Sequence, residues 1–225
     1  MAAATDLFEA IRAADAGKVR ELTAAQPAVV NARNLQGQSA VLMACYMGRN
    51  EIRDLLIDKG ATLELHEAAA AGNLQRVKES VEGNLQLANN YSPDGFPLIA
   101  LAAAFGHQDI VHYLHAKGAD LNSIATNGTG YTALTGAVAN GHFSLVNWLA
   151  QNGADVNYRY AKGHSPLLVA AANGRLDIVK TLVEHGADSH ARTDDGKSAL
   201  DLATKHSHKD VTDYLHSLGS TIHSA

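Results

Sequence analysis

The chain is poor in the residues that give covalent crosslinks, a large aromatic core or a membrane anchor. It has 225 residues but a single cysteine, Cys45, so no disulfide can form within it. Aromatic residues make up only 5% of the sequence, and the apolar residues are mainly Ala, Leu, Val and Ile. No run approaches the roughly 18 uninterrupted apolar residues of a membrane-spanning helix. These absences favour a globular protein built from closely packed helices.

The charge and the first residues of the chain argue against nucleic-acid and membrane partners. Its 18 Lys and Arg residues are outnumbered by 23 Asp and Glu residues, for a formal net charge of −5. They form no basic stripe of the kind that nucleic-acid phosphates require. The first residues turn charged at Asp6 and lack the basic start and apolar stretch of a signal peptide. We therefore expect a cytoplasmic protein whose partner is neither a nucleic acid nor a membrane.

The most informative feature that is present is internal repetition. Segments 106–122, 141–157 and 174–190 match position by position, and 48–64 is a weaker copy. In each full copy a Gly is followed four and five residues later by an apolar pair, and a Gly-Ala-Asp triplet comes near the end. A second short helical pattern lies upstream of each copy. Its equivalent apolar residues, spaced by 35, 33 and 33, are Ile99, Leu134, Leu167 and Leu200.

A unit of about 33 residues with two short helices and a polar turn is typical of ankyrin repeats. The sequence resembles that family over essentially its whole length. The family pattern runs roughly D-G-x-T-P-L-H-x-A-A-x-x-G-H, then an apolar helix, then G-A-D-V-N. In place of T-P-L-H this chain has SAVL, FPLI, TALT, SPLL and SALD. Most of these variants keep a hydroxyl that can cap the first helix, at Ser39, Thr132, Ser165 and Ser198.

The resemblance predicts an all-α ankyrin-repeat solenoid of about seven stacked helix-turn-helix units with β-hairpin loops. It predicts a single domain, 1–225, without a linker. The repeats are expected at approximately 5–33 (the N-terminal cap), 34–61, 62–90, 91–122, 123–157, 158–190 and 191–220 (the C-terminal cap).

One hairpin is predicted to be missing, between repeats 2 and 3. Shifting the chain by 58 residues aligns it with itself without a gap, from Leu7 with Leu65 to Gly60 with Gly118. The stretch from 62 onward is therefore equivalent to the N-terminal cap, although it lies inside the chain. It omits about nine residues that would form a hairpin, which points to duplication of a two-repeat segment.

The histidines of the sequence invite a metal-site hypothesis. His107 and His142 occupy the Gly-His position of the family, but other units have Arg49 or Arg175 there. A metal ligand would not be exchanged so freely for arginine, so this position is interpreted as scaffold. His112 and His115 lie three residues apart on a second helix, without counterparts elsewhere, and are expected on its solvated side. Cys45 is interpreted as a small buried hydrophobic residue, and no metal, cofactor or catalytic site is predicted.

The family resemblance implies a non-enzymatic interaction scaffold that binds a partner protein or peptide on its concave face. The residues at the positions that contact partners in this family, and that are large here, are Tyr46, Met47, Phe96, Phe105, Tyr131 and His164. We expect a monomer. Two alternatives stay open for the function: a regulatory subunit or inhibitor of an enzyme encoded elsewhere, or a histidine-based metal or catalytic site. The aromatic residues could also serve as internal packing between hairpins.

Overall fold

The structure, a computed structural model, describes residues 2–221 and their side chains through Leu218. Within this range the chain forms fourteen α-helices and three short 3-10 helices, and its only β-type pairings are isolated bridges. The helices belong to two compact units, of which the first ends at Gly83 and the second begins at Asn84. The predicted all-α fold is confirmed, whereas the single domain 1–225 stays a prediction.

The first unit consists of three consecutive helix pairs. Within each pair the two helices pack together, and the first helices of successive pairs also contact one another. Leu7, Leu56 and Val77 have no exposed surface and form part of this core. The helices are α1 (Ala2–Arg12), α2 (Ala16–Ala25), α3 (Ala40–Tyr46), α4 (Asn50–Asp58), α5 (Leu65–Ala71) and α6 (Leu74–Gly83).

The second unit consists of four such pairs, and their first helices form a row of direct neighbours. Small residues allow this close packing: a Cβ atom added to Gly136 would lie 3.2 Å from the Cβ of Ala104. The helices are α7 (Leu98–Ala104), α8 (Gln108–Ala116), α9 (Ala133–Ala139), α10 (Phe143–Gln151), α11 (Pro166–Ala172), α12 (Leu176–Glu184), α13 (Ala199–Lys205) and α14 (Lys209–Thr221).

Hydroxyl side chains begin four of the seven first helices, as the sequence predicts. The side-chain oxygen of Ser39 accepts a hydrogen bond from the Leu42 N–H at 3.1 Å. Such a cap satisfies one of the backbone donors that the first turn of a helix leaves unpaired. The same bond is made by Thr132, Ser165 and Ser198.

The connection between α4 and α5 is much shorter than its counterparts. It comprises residues 59–64, six residues, whereas the connections from α2 to α3 (26–39) and from α12 to α13 (185–198) comprise fourteen. The longer connections carry antiparallel bridges, Arg33 with Ser39 and Arg192 with Ser198, and none is present in 59–64. Glu64 caps α5 there, in a reciprocal arrangement with Glu67.

Element boundaries in the two units follow the 58-residue shift of the sequence. Adding 58 to the bounds of α2, of the 3-10 helix Pro27–Asn31, of α3 and of α4 gives the bounds of α6, of the 3-10 helix Leu85–Asn89, of α7 and of α8. The bridge between Arg33 and Ser39 likewise recurs between Tyr91 and Pro97. The two segments therefore share their secondary structure residue for residue over this range.

Asparagine side chains join successive hairpins of the second unit. The Asn122 Nδ2 donates to the Gly153 carbonyl oxygen at 3.1 Å, and its Oδ1 accepts from the Asp155 N–H at 2.8 Å. Asn89 and Asn157 each make the same pair of bonds to the next repeat. Because both ends of each amide are held by backbone atoms, these bonds fix the register of neighbouring hairpins.

Candidate functional site

The Gly-His position holds neighbouring repeats together. The His142 Nε2 lies 2.9 Å from the carbonyl oxygen of Ala104, the last residue of α7. At the same position in the next repeat, the Arg175 Nη1 donates to the Gly141 carbonyl at 2.8 Å. A Cβ atom on Gly106 would lie 2.7 Å from the His142 ring, which explains the glycine. The interpretation of this position as scaffold is confirmed.

His112 and His115 are not on a solvated side, and that expectation is wrong. Both are half-buried, because Trp148 of α10 covers them: its ring centroid lies 4.2 Å from that of His112 and 5.5 Å from that of His115. The His115 Nδ1 lies 3.4 Å from the Ala119 carbonyl oxygen. The two rings pack against the tryptophan. In the described part of the chain, no three His, Cys, Asp or Glu residues are grouped as metal ligands.

Cys45 is buried, as predicted, with 4% of its surface exposed. Burial in the interior of α3 raises the pKa of its thiol to about 12. The thiolate is the nucleophilic form of cysteine, so a thiol with such a pKa is inert at neutral pH.

An aromatic row crosses three successive hairpins of the second unit. The Phe96 and Tyr131 ring centroids are 6.4 Å apart, those of Tyr131 and Tyr160 are 5.6 Å apart, and those of Tyr160 and His164 are 6.5 Å apart. All four side chains are half-buried. Burial, with a smaller effect of Tyr131, raises the pKa of the Tyr160 phenol. The row thus presents partly exposed rings on a fixed backbone.

Glycines bring these hairpins close enough for the rings to meet. Gly95 and Gly130 have φ values of 82° and 71°, a region that other residues rarely adopt. A Cβ atom on Gly95 would lie 2.8 Å from the Thr126 Oγ1, and one on Gly130 would lie 3.1 Å from the Tyr160 Cβ. The Thr126 N–H also donates to the Gly95 carbonyl at 2.8 Å. Each ring is therefore held beside the next by backbone contacts.

Phe105 lies apart from the ring contacts of the row. It is the C-cap residue of α7, is half-buried, and stacks on His107 at a centroid distance of 6.5 Å. It occupies the predicted position at the end of a first helix. The structure thus brings Phe96, Tyr131 and His164 into one row with Tyr160 and places Phe105 at a helix end.

The remaining candidates, Tyr46 and Met47, belong to the first unit. Tyr46 is the last residue of α3 and Met47 is its C-cap, and they are 40% and 37% exposed. Leu35, at the hairpin tip of the same unit, is fully exposed. Exposed apolar side chains of this size are the ones that mark interaction surfaces when they occur together.

Tyr158 and Tyr160 were missed by the sequence analysis. Tyr158 stacks on Tyr160 with ring centroids 6.3 Å apart and nearly parallel planes. The signal was available: the order Tyr-Arg-Tyr in an extended hairpin arm places the two tyrosines on one side of the backbone. The family pattern indicates the residues beside the turn glycine and those at the end of the first helix, and this pair lies at neither position.

Comparison with known families agrees with the fold. The sequence model described as ankyrin repeats (3 copies) matches residues 65–160 and 154–224, which together exceed half of the chain. The protein therefore belongs to the ankyrin repeat family. Ankyrin repeats are generally protein–protein interaction modules and are typically non-catalytic.

A search of curated proteins gave no match to the sequence. No helix in the described residues is both long and apolar enough to cross a membrane.

Proposed function

We propose that the protein is a non-enzymatic scaffold that binds a partner protein or peptide. In the second unit the binding residues are Phe96, Phe105, Tyr131 and His164, with Tyr160 added by the ring contacts. In the first unit they are Tyr46 and Met47. The observation that carries the proposal is the aromatic row, in which rings from three hairpins touch while each keeps part of its surface exposed.

The row has the properties of a binding hot spot. Aromatic side chains bury large areas on association, and each loses few rotatable bonds in doing so. Here the rings already restrain one another, so a partner would find them close to their bound positions. Ordering costs, which otherwise reduce affinity, are correspondingly small.

A binding role is preferred to the histidine-based alternative because the titratable groups have structural tasks. His142 holds the end of α7, His112 and His115 pack against Trp148, and Cys45 is buried. Regulation or inhibition of an enzyme encoded elsewhere would use the same surface and is included in the proposal. A monomer located in the cytoplasm is proposed as well.

Affinity capture from the native host, followed by binding measurements on the purified partner, tests the proposal. We expect the double variant Phe105→Ala/Tyr131→Ala to bind at least about thirtyfold more weakly, since truncating a buried interface aromatic commonly costs about 2 kcal/mol. Lys180→Ala, an exposed change within α12, is the control and should bind normally. Normal binding by the double variant would contradict this location. A large loss of thermal stability in that variant would instead favour internal packing.

A further inference from the structure

The exposed end of each repeat in the second unit changes character along the chain. Three equivalent positions in each repeat show this change. The first lies in the hairpin arm, two residues after the asparagine that joins successive hairpins, whose place His190 takes in the last repeat. The second is the residue after the turn glycine, and the third is the C-cap of the first helix. In the α7/α8 repeat these are Tyr91, Phe96 and Phe105. In the α13/α14 repeat they are Arg192, Lys197 and His206. One end of the unit is wholly aromatic at these positions and the other is wholly basic.

The two middle repeats are intermediate in the same order. The α9/α10 repeat has Ile124 in the arm and Tyr131 after the glycine, whereas the α11/α12 repeat has Arg159 and His164 there. At the helix end both have asparagine, Asn140 and Asn173, whose Nδ2 atoms are bound to backbone carbonyls. An amide oxygen can accept hydrogen bonds while its Nδ2 donates, so these asparagines can also accept from the N–H groups of a bound peptide.

The basic end keeps part of its positive charge despite nearby carboxylates. Asp195 lies 2.6 Å from the Lys197 ammonium group, and Asp194 and Asp201 face Arg159 and Arg192 at 3.5 and 3.6 Å. All of these pairs are well exposed, where ion pairs are weak and exchangeable. Two exposed lysines on this side, Lys162 at a hairpin tip and Lys205 at the end of α13, form no ion pair within the described residues.

We propose that the second unit binds an extended, acidic-and-apolar segment of a partner protein in one fixed polarity. Its apolar side chains pack on the α7/α8 and α9/α10 repeats, and its Asp or Glu side chains face the α11/α12 and α13/α14 repeats. This inference rests on the proposed binding function and adds the chemistry and orientation of the ligand. The positive charge that attracts the acidic part is a local property of this surface, because the whole chain has a formal net charge of −5.

The spacing of the two parts follows from the geometry of the fold. Packed helices lie about 8–10 Å apart, so three steps from the α7/α8 to the α13/α14 repeat span about 25–30 Å. An extended chain advances about 3.3 Å per residue. The outermost apolar contact and the outermost acidic contact of the ligand should therefore be separated by about eight or nine residues.

Selection from a displayed library of random 16-residue peptides on the full chain tests the proposal. The same selection is made on Phe96→Ala/Phe105→Ala, on Lys162→Glu/Lys205→Glu and on the control Lys180→Glu, each checked for folding by circular dichroism. We expect enriched peptides to contain an aromatic or aliphatic block and an acidic block with the stated spacing. The Lys162→Glu/Lys205→Glu variant should bind synthesised copies of these peptides about tenfold more weakly and should select peptides with basic residues instead. The Lys180→Glu control should show neither change.

Each other outcome overturns a defined part of the argument. One outcome is that the selected peptides have no acidic bias, fail to bind the Phe96→Ala/Phe105→Ala variant and still bind Lys162→Glu/Lys205→Glu. That outcome would overturn the polarity and leave the proposed function intact. Peptides indifferent to both variants, or no enrichment, would overturn both. A labelled 15-nucleotide single strand that binds more tightly than every peptide, and is lost on lysine reversal, would replace the protein ligand with a nucleic acid.

Discussion

The Nε2 of His142 and the carbonyl oxygen of Ala104 are 2.9 Å apart although the residues are separated by 38 positions. Because a carbonyl can only accept, Nε2 must carry the proton of the imidazole. The carbonyl belongs to the end of α7, where a helix leaves backbone acceptors unpaired. One side chain therefore completes the end of a helix and attaches the following repeat to it.

Replacing His142 with alanine should lower the free energy of unfolding by about 1 kcal/mol, because one hydrogen bond to a half-buried carbonyl is lost. His142→Arg should retain most of the stability, since Arg175, at the same position one repeat later, also bonds to a carbonyl of the preceding repeat, that of Gly141. Urea unfolding followed by circular dichroism measures both. An unchanged stability in His142→Ala would mean that the bond contributes nothing, and equal losses in the two variants would mean that arginine does not replace it.

A buried carboxylate stabilises the first unit at the short connection before α5. Glu67 has no exposed surface, and it accepts hydrogen bonds from the Arg33 Nη1 at 3.2 Å and from the Glu64 N–H at 2.9 Å. Arg33→Ala leaves this carboxylate without its cation and should cost about 3 kcal/mol of stability. Arg20→Ala is the matched control, because it breaks an exposed pair with Glu51 and should cost well under about 1 kcal/mol.

The two arginine variants are compared by thermal and urea unfolding of the full chain. The double variant Arg33→Met/Glu67→Leu should recover much of the loss, since it removes the buried charge together with its partner. If Arg33→Ala were no more harmful than Arg20→Ala, the carboxylate would be stabilised by the backbone alone.

The Cys45 thiol should fail to react with a disulfide reagent at pH 7–8 in the folded protein and react fully after denaturation. Its pKa is raised to about 12 in the fold, whereas an unfolded thiol has a pKa of about 8.5. The folded state thus holds the proton more tightly, so this contribution to stability is complete below about pH 8.5 and declines as the pH rises toward 12. Cys45→Ala should remove that part of the alkaline decline. Rapid labelling of the native protein at pH 7 would show that the thiol is accessible.

The sequence predicted best the positions that the backbone itself requires. Hydroxyl caps such as Ser39 and Ser198 recur in four of the seven first helices, and the glycine before His142 recurs before Arg49, His107 and Arg175, because these repeats have the same turn and the same helix start. Such features can be read from the periodicity of one chain, and they are confirmed.

Contacts between side chains of different repeats were harder to predict. The burial of His112 depends on Trp148 in the next helix pair, and the place of Tyr160 depends on the approach of its hairpin to that of Tyr131. Repeat spacing places these residues on neighbouring repeats but does not determine which side-chain rotamers bring them into contact. For the same reason the sequence alone does not decide whether the aromatic residues form an interface or pack between hairpins. In the structure the rings of the aromatic row contact one another while each stays partly exposed.

The 58-residue correspondence has a consequence for how the length of this chain can change. Excising residues 61–118 would join Gly60 to Ala119, so that α4 would be followed by the Gly-Ala-Asp turn and full hairpin that now follow α8. The shortened chain would contain five helix pairs, and each pair after the first would be preceded by a complete connection. Removing these 58 residues would thus eliminate the short connection 59–64 while keeping the helix pairs and connections on either side of it.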